Sequence, residues 1–241
     1  MTSTIRLAKR VAEQLGCSRS EAEQYIEGGW ISVDETVTEE AGARVLPEQT
    51  VALLPDAVLT EITPVTILLH KPAGASTLNA IAPELNWITP QTMFAEDRSG
   101  VRYLRRHARA LTLTNPLEDS ASGLLVLTQD WRIVRKLLTE TNRVEQEFVV
   151  EVSGSMAPDG LAALQAGMKW NGKALAPLKV SWQSEHRLRF AIKGAERGMI
   201  TYLCEQVGLQ VVALKRLRIG RISMAALPAG QWRYLAGYEQ F

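Results

Sequence analysis

Asn115-Pro116-Leu117-Glu118-Asp119-Ser120-Ala121-Ser122-Gly123-Leu124-Leu125-Val126-Leu127-Thr128 is the stretch on which the reading of this chain turns. Its second half, Gly123–Thr128, is an apolar run of strand length opened by a glycine. Its first half holds Asn-Pro and two adjacent carboxylates, Glu118 and Asp119, a composition typical of a turn. The plain reading of those carboxylates is a solvated turn before a core strand. The chemical reading is a reactive acid at the mouth of that strand.

Working outward, Val65–Leu69 is a second apolar, β-branched run, followed by His70-Lys71-Pro72-Ala73-Gly74, where Pro and Gly make a turn. Further strand patterns fall at Leu111–Thr114, Phe148–Ser153, Leu178–Trp182, Arg187–Ile192 and Val211–Leu214. Helical spacing falls at Trp131–Leu138, Pro158–Ala166 and Met199–Val207. Strands dominate without a βαβ rhythm, which predicts an α+β domain over 65–241 with a mixed, largely antiparallel sheet.

The N-terminal 58 residues read as a separate small unit. Apolar residues at Ile5, Leu7, Ala8, Val11, Ala12 and Leu15 have helical spacing, and Gly16 ends the run. Ser18-Arg19-Ser20-Glu21 is a capping box for a second helix that stops at Gly28-Gly29. Trp30–Val33 and Thr36–Val37 predict a hairpin around Asp34-Glu35, and Thr50–Leu54 follows a Pro47-Glu48-Gln49 break. Asp56–Pro64 is the expected linker.

Composition bounds the function. A chain of 241 residues with 46% hydrophobic and 22% charged residues has the composition of an ordinary soluble protein. No apolar run approaches the roughly 20 residues needed to span a membrane, and the first residues do not read as a signal peptide. Cys17 and Cys204 have no metal-ligand spacing and read as free thiols of a reducing compartment. The expectation is a cytoplasmic monomer without metal, cofactor or membrane partner. The net charge of +1 conceals an asymmetry: residues 1–58 carry five Lys/Arg against ten Asp/Glu, and residues 59–241 carry 22 against 16. A polyanion partner therefore needs local basic clusters. The candidates are Arg6, Lys9, Arg10 and Arg19 on the first two helices, then Arg102, Arg105, Arg106, His107 and Arg109. Lys215, Arg216, Arg218 and Arg221 form a third group.

Two families share these motifs. The N-terminal pattern resembles the αL RNA-binding module found in a small-subunit ribosomal protein and in many pseudouridine synthases. The larger part resembles the RNA pseudouridine synthases of the RsuA/RluB/RluE/RluF type. The resemblance rests on Lys71-Pro72-Ala73-Gly74, on Ser122–Thr128, on the RluF-like stretch Cys204–Ile219, and on Leu227–Leu235. It implies structured RNA as partner, ribosomal before transfer RNA, and isomerisation of a flipped-out uridine.

The family's catalytic segment, Gly-Arg-Leu-Asp, aligns with Asn115-Pro116-Leu117-Glu118. The resemblance thus assigns the nucleophile position to Glu118, with Asp119 one place late, and the base-stacking position to Phe148. Glu118 is one methylene too long, and a displacement of about 1 Å can cost on the order of 100-fold in rate. On an extended strand Asp119 faces the other way unless a bulge intervenes. Pro116 replaces an arginine, Gln146-Glu147-Phe148 replaces Lys-x-Tyr, and Thr201-Tyr202 stand where the family has cations. The expectation is an RNA-binding member with isomerisation reduced or lost. The alternatives are an active synthase using Glu118 or Asp119, and a protein-interaction module.

Overall fold

The computed structural model describes residues 4–59, 63–76 and 87–241, so residues 60–62 of the expected linker lie outside it. Contacts divide the chain into two units, one of residues 1–64 with 102–110, the other of 65–101 with 111–241.

The first unit begins with β1 (Ile5–Arg6) and α1 (Leu7–Leu15). Gly16, at φ 65°, ends α1 in the left-handed conformation that only glycine adopts freely. Ser18 opens α2 (Arg19–Glu27) through a complete capping box: its hydroxyl accepts from Glu21 N at 3.2 Å and its N–H donates to the Glu21 carboxylate at 2.8 Å. Strands β2 (Ile31–Val33) and β3 (Thr36–Val37) form the expected hairpin. Asp34 and Glu35 both have positive φ, 47° and 65°, as a turn matched to strand twist requires. Strand β4 (Arg44–Val45) pairs with β1, a pairing too short to read from periodicity, and β5 (Val51–Leu53) pairs with β2. Leu7, Val11, Ala22, Ile26, Ile31 and Val45 close the core.

Residues 102–110 belong to this unit rather than to the surrounding sequence. The Arg102 guanidinium donates to Gly28 O at 2.5 Å and lies 4.6 Å from the centroid of the Trp30 ring. Arg105 N donates to the Glu39 carboxylate at 2.6 Å. Leu104 and His107 are buried.

The second unit is built on one sheet. Its elements in order are β6 (Thr66–Lys71), β7 (Thr112–Thr114), β8 (Ser122–Thr128), α3 (Trp131–Leu138), β9 (Glu145–Gly154), α4 (Gly160–Ala166), β10 (Lys169–Trp170) and β11 (Lys173–Ala174). They continue with β12 (Lys179–Ser184), β13 (Arg187–Lys193), α5 (Met199–Gln206), β14 (Leu209–Ile219), β15 (Ile222–Ser223) and β16 (Trp232–Tyr234). Among the described residues, nine strands form a sheet in the order β12-β13-β9-β14-β8-β6-β16, with β15 on β14 and β7 on β8. Among the described strand pairs of this sheet only β14–β8 is parallel; the other pairs are antiparallel. The fold is therefore α+β with a mixed, largely antiparallel sheet. Strands β6 and β8, buried almost throughout, are the continuous apolar runs of the sequence.

Gly123 is required where β8 meets β14. Its φ is +116°, and a Cβ there would lie 2.2 Å from Arg216 O and 2.5 Å from Arg216 N. No side chain fits that approach of two backbones.

Candidate active site

Residues 115–121 form a loop between β7 and β8, so the strand geometry expected for Glu118 and Asp119 does not apply. Asn115 turns the chain at φ 48°. The loop is pinned from below by Lys71, whose side chain is fully buried. Its ammonium donates to Asp119 O at 2.9 Å, Ala121 O at 2.5 Å and Pro72 O at 3.1 Å. Burial pushes the Lys71 pKa below the ordinary lysine value, with Asp119 opposing the shift. Three carbonyl acceptors compensate an ammonium withdrawn from water. Gly74 N adds a bond to Asp119 O at 2.8 Å.

Glu118 is half-buried and points at the start of α5. Its carboxylate accepts from Gly198 N at 2.9 Å and lies 3.3 and 3.5 Å from the Thr201 hydroxyl. Gly198 is the N-cap of α5 and has no side chain to cap with. Glu118 supplies that cap from another part of the chain, satisfying one backbone donor that the helix leaves open, Gly198 N–H. Asp119 is exposed, with one oxygen 3.4 Å from the Arg197 guanidinium.

Arg216 lies on the other side of the loop, 2% exposed. Its Nε donates to Leu124 O at 2.8 Å, NH1 to Gln146 Oε1 at 3.0 Å and NH2 to Asn115 O at 2.7 Å. None of the described carboxylates pairs with it, and burial pulls its pKa down to about 9. It remains charged at neutral pH. Pro116, Glu118, Phe148, Arg197, Ile200 and Arg216 line a cavity of about 20 Å³. That is room for little more than one water, and Phe148 at 4% exposure presents no open ring face.

The predicted cations fare differently. Arg6, Lys9, Arg19, Arg105, Arg109 and Arg221 are exposed and Lys215 is half-exposed, with Lys9 and Arg19 each paired to the acid four residues on, Glu13 and Glu23. Arg10 is spent on Leu46 O, Pro47 O and Gln49 O. Arg218 is held by Glu145 at 2.9 Å and Glu147 at 3.0 Å. Arg102 and Arg216 are bonded internally as described. Arg106 is half-buried. Burial next to Arg106 lowers the His107 pKa to about 4, so the ring is neutral. The cluster at 102–109 packs with the first unit. Sequence reasoning missed the internal roles of Lys71 and Gln146; the apolar run Val65–Leu69 leading into it was the signal for Lys71. Among the described residues no group of three His, Cys, Asp or Glu side chains could hold a metal.

Residues 5–51 match the S4 domain. Dual-specificity RNA pseudouridine synthase RluF of Escherichia coli (strain K12) is 27% identical over 238 residues, 98% of this chain and 77% of the relative. The chain is similar over nearly its whole length to RNA pseudouridine synthases. Ribosomal small subunit pseudouridine synthase A of Salmonella typhimurium is 26% identical over 240 residues, 98% of each chain. A crystal structure of a pseudouridylate synthase shares the fold, with a TM-score of 0.58 at 19% identity over 96% of each chain. Against the synthase motif, the loop 115–121 keeps a carboxylate, but one whose hydrogen bonds are directed to a helix start. Among the described residues no helix is long and apolar enough to cross a membrane.

Proposed function

We propose that this chain is a cytoplasmic RNA-binding protein of the pseudouridine synthase type in which isomerisation is lost or strongly reduced. The observation that carries this reading is the capping of α5 by Glu118 through Gly198 N–H and the Thr201 hydroxyl. A nucleophile must be free to reach the ribose or base carbon; a carboxylate serving as helix cap has its lone pairs directed elsewhere. Among the described residues Arg216 has no carboxylate partner, and this and the small cavity favour the same reading. The S4 match and the names of the relatives, ribosomal small subunit pseudouridine synthase A among them, support structured RNA as the partner, ribosomal RNA first. Phosphate contacts come from Arg6, Lys9 and Arg19 on the S4 unit and from Arg105, Arg109, Lys215 and Arg221.

The test is incubation of the protein with ribosomal RNA from a strain lacking its gene, followed by mapping of pseudouridine. The expected result is binding without a new modified position. A new position that disappears in Glu118→Ala or Asp119→Ala would overturn the reading in favour of an active synthase. No binding to any RNA would overturn it in favour of a protein-interaction module.

A further inference from the structure

Beside the cleft stands an aromatic pair, Trp170 and Tyr202. Trp170 is carried by the hairpin β10–β11, closed by Asn171 and Gly172 at φ 48° and 77°. The register sets Lys173 directly across from Trp170. The indole meets Tyr202 of α5 edge-on, with centroids 5.4 Å apart and planes at 62°. Its Nε1 donates to Glu196 at 2.8 Å, and its Cη2 would lie 3.7 Å from a Cβ at Gly198. Glu196 and Arg197 line the cleft and Gly198 binds Glu118, so the pair sits on the cleft's rim.

Tyr202 is 37% exposed and Trp170 is half-buried. Lys169, Lys173 and Arg197 around them are exposed. Rings partly open to water, with cations at their edges, match the two faces of a nucleotide: a flat base to stack and a phosphate to pair. The Glu196 bond satisfies the indole N–H and fixes the ring's orientation, which lowers the entropy lost on stacking. Tyr202 stands where the family carries a cation.

We propose that Trp170 and Tyr202 form a stacking platform for an unpaired RNA base at the rim of the cleft, with Lys173 and Arg197 on the adjoining phosphates. The proposal rests on the RNA-binding reading above. It makes the protein selective for loops or single strands, because bases within a duplex are already stacked and cannot reach the rings.

The test uses the full chain with a short oligouridine and a blunt RNA duplex of equal length, followed by fluorescence anisotropy. Trp170→Ala and Tyr202→Ala should each weaken oligouridine binding by about tenfold and leave duplex binding unchanged. Trp170→Phe should keep most of the affinity while losing the quenching of tryptophan emission that oligouridine causes in the parent. Equal affinity of parent and both alanine variants for oligouridine would overturn the platform while leaving RNA binding intact. Quenching that persists undiminished in Trp170→Phe would also overturn it. A parent that binds neither RNA would sink the RNA-binding reading and the platform together.

Discussion

Glu118 and Gly123 each hold a position that a change to alanine would disturb. Glu118 caps α5 in place of a side chain on Gly198. Glu118→Ala should therefore lower the unfolding free energy by about 0.5–2 kcal/mol. Urea denaturation checks this, and an unchanged midpoint would show that the cap contributes nothing. Gly123→Ala is the severe case, because its Cβ would lie 2.2 Å from a backbone oxygen at φ +116°. Neither β8 nor β14 can yield without breaking the sheet, so a loss of about 4 kcal/mol or more is expected. Far-UV circular dichroism of the variant should show a chain unfolded or melting far below the parent.

At the scale of elements, the segment 102–110 changes what the N-terminal unit is. Read from sequence, residues 1–58 are a self-contained module hinged near residues 55–64. In the structure, Arg102 stacks on Trp30 and bonds Gly28, and Leu104 and His107 are buried in the same unit. A fragment of residues 1–64 should accordingly melt at a lower temperature than the same fragment mixed with a 101–111 peptide. If the peptide leaves the melting curve where it was, the segment is not part of that fold. Arg102→Ala should cost the unit about 1–2 kcal/mol through the lost cation–π contact and hydrogen bond. Arg105→Ala, by contrast, removes an exposed charge and keeps the backbone bond to Glu39, so its effect belongs to RNA affinity.

For the whole molecule, charge and pH give two expectations. RNA affinity should fall steeply with salt, as phosphate contacts demand; a flat salt titration would remove them from the interface. Stability should fall as pH drops from 6.5 toward about 4, because His107 stays neutral in the fold until pH reaches about 4 and takes up its proton earlier in the unfolded chain. His70, bonded to Leu227 O and also shifted downward by burial, acts in the same direction. His107→Gln should flatten the stability profile between pH 6.5 and 4.5, above the range where most carboxylates titrate. A profile equally steep without His107 would assign the effect elsewhere.

Local signals determined a large part of this protein: the capping box at Ser18, the stop at Gly16, the Asp34-Glu35 turn, helix Trp131–Leu138 and the buried strands β6 and β8. Each of these depends on neighbouring residues or on a regular period, so each is written in one stretch of chain. The departure of Asn115–Glu118 from the synthase motif was equally legible, residue by residue. What the tertiary structure alone decided is where the charges go. Lys71, Arg10, Arg102, Arg216 and Arg218 look alike as basic residues in a sequence, yet all are consumed by carbonyls, rings or carboxylates distant in the chain. The α5 cap by a glutamate 80 residues away, the rim pair Trp170–Tyr202 and the return of residues 102–110 to the first unit are likewise long-range. Their partners are set by sheet order and loop path, which no local pattern encodes.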